Sequence, residues 1–176
     1  MTSEPSVRDV RIAGQRILLT PHNCFACGTL NEHGLQLQLH AAADSCWLET
    51  TLAQRFQGWD GIAHGGIITT ILDEVMAWAL VEHDMWGVTA RMLVEFKKPV
   101  PIGVPIRAEG RVVDVRRRLV DAEGVIVDPA EGTILASSRA TFVGASEARK
   151  RELKARYGFA LTEPEDVGAP ELVVRG

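Results

Sequence analysis

The sequence predicts an α+β domain in which an antiparallel sheet of five to six strands wraps around one long buried helix. Three observations carry that expectation. One stretch, from Ile67 to Val81, reads as helix and is apolar nearly all round, which places it inside the protein and not on a wet surface. Most of what remains has strand character, in segments bounded by turn residues. Little else in the chain could cover such a helix except that sheet.

The elements follow in order. Residues 1–20 form an N-terminal lead-in and a candidate short helix, with a short apolar run at Ile17-Leu18-Leu19. Cys24-Phe25-Ala26-Cys27-Gly28 opens a turn-rich stretch that runs to Gly34. Leu35, Leu37 and Leu39 alternate with polar residues, the period-2 signal of a half-buried strand. Cys46 to Leu52 is its antiparallel partner across a turn at Ala43-Asp44-Ser45. Gln57-Gly58-Trp59-Asp60-Gly61 reads as a loop leading into His64-Gly65-Gly66 and the helix. Four more strands are expected: Val88–Phe96, Val104–Val115, Leu119–Val127 and Thr133–Val143. The turn Asp128-Pro129-Ala130-Glu131-Gly132 separates the last two. Residues 146–176 read as a charged helix, Ser146 to Tyr157, followed by a loose tail. Glu147–Arg151 and Glu152–Arg156 are its expected i,i+4 pairs.

Composition narrows the function. A chain of 176 residues with 46% apolar and 24% charged residues suits one domain with a real core. A net charge of −4 argues against a nucleic-acid surface. Met1 to Pro5 lacks the apolar stretch of a signal peptide, and Thr69, Thr70, Asp73 and Glu74 interrupt the apolar segment. A cytoplasmic protein with no membrane span is therefore expected. Three cysteines, Cys24, Cys27 and Cys46, do not read as a disulfide framework. Cys24 and Cys27 could hold a metal with His22 or His33, but no second CxxC exists to complete four ligands. A turn with small buried thiols, and no metal, is the favoured reading.

The chemistry-bearing residues cluster at the helix. His64-Gly65-Gly66 sits at its start, where N–H groups lack intrahelical partners and the dipole favours negative charge. Two glycines there allow a substrate carbonyl to approach the backbone closely; they could equally serve only to turn the loop tightly. Asp73 is a carboxylate in an apolar helix, costly unless paired or functional. Glu74 lies about 100° further round and faces elsewhere.

His64 to Glu74 resembles the hot-dog-fold thioesterase motif, in which His-Gly-Gly is followed by an acid nine positions after the His. Gly87-Val88-Thr89 and the run to Phe96-Lys97-Lys98-Pro99 are similar to the next strand of that family, where a Ser or Thr reaches the site. Cys24-Phe25-Ala26-Cys27-Gly28, with Asn31 and Gly34-Leu35, resembles the opening of one bacterial branch. The family is that of the PaaI-type thioesterases of the 4-hydroxybenzoyl-CoA thioesterase superfamily, and the resemblance spans roughly residues 24–144. It implies a hot-dog domain over 21–145 and hydrolysis of acyl-CoA by dimers or dimers of dimers. No cofactor is implied beyond the coenzyme A of the substrate.

The resemblance also implies roles. Gly65 N–H is the oxyanion donor, Asp73 the general base or nucleophile, His64 a support for the loop, and Thr89 a holder of the attacking water. Gly66 borders the substrate. Several relatives carry Asn where this chain has Gly58, which leaves Gln57 as the candidate for that contact. Arg116, Arg117 and Arg118 are candidates for the CoA phosphates, or a solvated strand edge.

Gly65 and Asp73 are eight residues apart, ~12 Å along a helix, too far for one carbonyl to touch both. The site should be shared between two subunits. Two other functions remain open. One is a hot-dog hydratase or dehydratase acting on acyl-CoA or acyl-carrier protein, with His64 catalytic. The other is a non-catalytic acyl-CoA-binding module.

Overall fold

The computed structural model describes residues 15–161. Ten strands and two α-helices follow in chain order: β1 (Gln15–Leu19), β2 (His40–Ala42), β3 (Ser45–Thr51), β4 (Gln57–Trp59), β5 (Ile62–Ala63), α1 (Gly65–Ala79), β6 (Gly87–Phe96), β7 (Pro105–Arg116), β8 (Leu119–Asp128), β9 (Thr133–Gly144), α2 (Glu147–Arg156) and β10 (Phe159–Leu161). Eight strands form one antiparallel sheet in the order β10-β1-β2-β3-β7-β8-β9-β6, while β4 and β5 make a separate hairpin.

The sheet wraps α1, as the apolar girth of that helix requires. Ile68, Ile71, Leu72, Val75, Met76 and Ala79 are fully buried on it. They pack chiefly against β7 and β3, with β8, β6 and β9 completing the wrap. Alternation along β8 and β9 supplies the other half of the core, from Val120, Ala122 and Ile126 to Ala136, Ala140 and Phe142. The closest seat is at Gly110 of β7. A Cβ built there would lie 2.4 Å from the backbone carbonyl of Val75. No other residue permits so close an approach of helix to sheet.

Five long strands (β3, β6, β7, β8 and β9) make the wrap that the sequence predicts, and short strands extend it. The four strands after α1 appear within a residue or two of their expected limits. Other expectations need correction. Ile17-Leu18-Leu19 is strand, not helix, because its backbone pairs with β10 on one side and β2 on the other. Leu35, Leu37 and Leu39 do alternate in burial, yet they are not a strand. Gln36 takes a positive φ of 49°, and Leu35 and Leu37 donate instead to the carbonyls of Phe25 and Ala26. Residues 57–61 form a hairpin arm and its turn, not a plain loop. α2 is capped by Ser146, whose hydroxyl accepts from Arg149 N–H. Its ion pairs are i,i+3, Glu147–Lys150 at 2.9 Å and Arg149–Glu152 at 2.7 Å, not the i,i+4 pairs expected. The start of the expected tail, Phe159–Leu161, is ordered as β10; residues 1–14 and 162–176 lie outside the described residues. No helix among the described residues is long and apolar enough to cross a membrane.

Candidate active site

His64 is the N-cap of α1. Its backbone is extended (φ −66°, ψ 136°), and its ring Nδ1 accepts the Gly66 N–H at 2.9 Å. That bond settles two assignments. Gly66 N–H is consumed, so it is not available to a substrate. A neutral His64 ring with Nδ1 accepting carries its proton on Nε2 and has no free lone pair for base work. The residue caps the helix start. Gly65 N–H, one position earlier, donates to no described residue. It stands open at the positive end of the helix, bordered by the Phe96 ring, 3.4 Å from where a Gly65 Cβ would be.

The threonines that follow turn their hydroxyls back along the helix. Thr69 donates to Gly65 carbonyl and Thr70 to Gly66 carbonyl, each at 2.9 Å. Neither is therefore a partner for Asp73. That role falls to Thr89 of β6, whose hydroxyl donates to Asp73 Oδ1 at 2.6 Å. Asp73 is half-buried, with Thr89 exposed beside it. Helix and strand run so that Asp73 lies at the start of β6 and Gly65 at its end, by Phe96.

Glu74 points away from this pair. Its carboxylate accepts the Trp78 indole N–H at 2.8 Å, one helical turn on. Burial, only partly offset by hydrogen bonds from Cys27 and Trp78, pushes its carboxyl up to about 7. The two neighbouring acids thus occupy different surroundings. The i,i+4 spacing of Glu74 and Trp78 is the signal that could have revealed this bond from sequence.

Other expected residues lie further out. Gln57 Oε1 accepts Gly61 N–H at 3.3 Å, which braces the β4–β5 turn. Gly58 backs onto His64, with a notional Cβ 3.2 Å from His64 Cα. The arginines sit at the β7–β8 turn. Arg116 pairs with Asp114 at 2.8 Å and with Asp121. Arg118 donates twice to the Gly144 carbonyl, at 2.7 and 3.0 Å. Arg117 makes the turn itself with φ 52° and is exposed. Two of the three cations are thus committed within the chain.

On the far side of α1 lies a cavity of about 700 Å³, lined among others by Leu30, Trp78, Met85, Trp86, Tyr157 and Phe159. Phe159 packs edge-on to Trp78, with centroids 5.7 Å apart. The sequence gives little sign of this chamber, because β10 closes it from a segment expected to be a loose tail. At its wall the donor atoms of Cys24, Cys27 and Glu74 all lie within 4.8 Å of one another. His33 is not among them; its backbone N–H caps Asn31 Oδ1 in an exposed turn.

The sequence profile of the thioesterase superfamily matches residues 60–135, from the β4–β5 turn through α1 and β6–β8 into β9. That segment is similar to the thioesterase superfamily. Solved structures share its fold. One thioesterase superfamily protein shares 27% identity at a TM-score of 0.64, over 69% of this chain and 60% of its own length. The chain thus spans less than two thirds of that protein. Zebrafish thioesterase superfamily member 2 shares 23% identity at a TM-score of 0.59, over 65% of this chain and 89% of its own. A Streptococcus mutans protein bound to acetyl-CoA shares 18% identity at a TM-score of 0.56, over 58% of this chain and 82% of its own. The architecture common to them is the hot-dog fold, with residues 60–135 at its centre. A search of the curated proteins finds no significant match.

Proposed function

We propose that this chain hydrolyses an acyl-CoA thioester to free acid and CoA, as a homodimer that shares its two sites. The observation that carries this reading is a division of labour along α1. Gly65 N–H is open at one end, and Asp73 is held by Thr89 at the other, ~12 Å away along the axis. Neither half completes a site alone.

The edge of the sheet supports the remedy. Among the described residues β6 is an outermost strand, paired only with β9. Its Val88, Leu93 and Phe96 are 72%, 64% and 57% exposed. A long apolar edge of this kind invites a second strand. Two-fold pairing of β6 with β6 of a second copy is antiparallel. It lays the Thr89 end of one strand beside the Phe96 end of the other. Asp73 travels with Thr89 and Gly65 with Phe96, so each dimer assembles two complete sites.

In such a site the thioester carbonyl accepts Gly65 N–H. Asp73 then takes a proton from an attacking water, or its carboxylate attacks and the resulting anhydride is opened by water. Either route breaks the C–S bond, and CoA leaves to become the thiol. Neither calls for a metal. The acetyl-CoA bound by the Streptococcus mutans neighbour supports CoA esters as the substrate class. A free-thiol release assay over an acyl-CoA panel tests the reading, wild type against Asp73→Asn. Turnover by the wild type that collapses in the variant is expected; equal rates would sink the mechanism.

The reading with His64 as catalytic base is disfavoured by the Gly66 bond to Nδ1. It would regain ground if His64→Ala abolished turnover while Asp73→Asn spared it.

A further inference from the structure

The cluster on the far side of α1 takes no part in the chemistry above. Cys24 and Cys27 come from the loop after β1, and Glu74 from the middle of α1, about fifty positions later. The fold nevertheless brings two sulfurs and a carboxylate oxygen within 4.8 Å of one another. Glu74 has no ion pair among the described residues. Its hydrogen bonds come from neutral groups, the Trp78 indole and the Cys27 thiol. Two thiols and a carboxyl with no cation among them form a donor set that a positive charge would complete.

We propose that Cys24, Cys27 and Glu74 bind one divalent transition-metal ion of the zinc class, with a fourth coordination position open to the 700 Å³ cavity. The donors decide the class. Two thiolates and one carboxylate suit zinc or cobalt in tetrahedral geometry, whereas magnesium and calcium require oxygen. A tetrahedral site with metal–sulfur bonds of about 2.3 Å has donor–donor edges near 3.7 Å.

The surroundings fit a ligand loop. Gly28 N–H donates to Cys24 carbonyl at 3.0 Å, closing the CxxC turn. A Cβ on Gly28 would meet Cys24 N and His22 O at 2.4 Å. His22 supports the turn without ligating. Its Nδ1 accepts Cys24 N–H at 3.1 Å, which leaves the proton on Nε2, and Nε2 lies 4.0 Å from Cys27 Sγ. An imidazole N–H aimed at a ligating sulfur is the outer support such sites commonly carry. Three protein ligands and an open fourth position are the pattern of a site that also takes an exogenous group. A Cys24–Cys27 disulfide is the competing fate of the same thiols, but it gives no reason for Glu74 to join them. This departs from the expectation, drawn from the sequence, of a metal-free turn.

Cobalt is the probe. Full-length reduced protein, freed of metal with a chelator and kept anaerobic, is titrated with Co²⁺ and then with Zn²⁺. One cobalt per chain is expected, with sulfur-to-cobalt charge-transfer absorption and the intense visible bands of tetrahedral coordination, both erased by zinc. Glu74→Gln should keep the charge-transfer band and weaken binding at least tenfold. Cys24→Ser, at the exposed cysteine, should roughly halve that band without disturbing the core, and Cys27→Ser should do the same if it folds. Absence of the band in the reduced wild type would overturn the proposal. So would titrations of Glu74→Gln and Cys24→Ser that match the wild type. A protein that forms the Cys24–Cys27 disulfide in air, yet takes up no cobalt when reduced, would assign the cluster to redox chemistry instead. None of these readouts depends on thioesterase activity.

Discussion

Thr89 and Asp73 meet across the gap between β6 and α1, hydroxyl to carboxylate at 2.6 Å. The contact joins the outermost strand of the sheet to the buried helix. It also separates Asp73 from Glu74, which bonds Trp78 instead. Removing the carboxylate charge with Asp73→Asn should lower thiol release by about 10²–10⁴-fold, the usual weight of a positioned acid or base. Thermal melting should stay close to that of wild type.

Thr89→Val removes the donor and keeps the shape. A hydrogen bond to a charged group is worth about 1.5–3 kcal/mol. The expected outcome is a roughly 10- to 100-fold drop in kcat with little change in KM. Thr89→Ser should restore most of it. A Val variant as active as the Ser variant would show that the contact positions nothing.

Gly65 offers a backbone test. It occupies the first helical position, where proline is well tolerated, and His64 before it already has the extended conformation that proline demands. Gly65→Pro should therefore fold normally while deleting the one open N–H. An oxyanion donor is worth on the order of 3 kcal/mol, so kcat should fall by about 10²-fold or more. Unchanged turnover in a folded Gly65→Pro protein would move the oxyanion site elsewhere.

These two lesions should complement. Gly65→Pro and Asp73→Asn chains, each nearly inactive alone, would form mixed dimers in which one site carries both defects and the other carries none. Random assortment of equal amounts predicts about a quarter of wild-type activity. Measured thiol release no greater than the sum of the separate variants would argue against a shared site.

Gly110→Ala tests the helix seat. The added methyl would strike Val75 backbone at 2.4 Å, which no rotamer change can relieve. Overpacking of this kind costs about 1–3 kcal/mol, equivalent to a fall in Tm of roughly 2–4 °C per kcal/mol. Calorimetry of the variant checks it.

The legible parts of this protein were those with strong periodicity. α1 declared itself by an apolar surface all round, and β7, β8 and β9 as strand-rich runs between turn residues, because tertiary burial agrees with local pattern there. Gly65, Asp73 and Thr89 were legible as a spaced motif, and the structure places Asp73 with Thr89. What stayed hidden depends on distant partners. Ile17-Leu18-Leu19 is too short to reveal its period, and only β2 and β10 make it a strand. Leu35 to Leu39 has a strand's burial but spends its backbone on the Cys24–Cys27 loop. The cavity behind Glu74 could not be read because its walls come from both ends of the chain and the helix between.

The seat at Gly110 makes α1 a lever with unequal arms. The fulcrum lies under Val75. Asp73 is two residues away, an arm of ~3 Å, and Gly65 is ten residues away, an arm of ~15 Å. Any tilt about that point swings the open N–H about five times as far as the acid. Under the proposed function, adjustment to acyl groups of different girth would therefore fall on the end of the helix that bears Gly65, while the end that bears Asp73 scarcely moves.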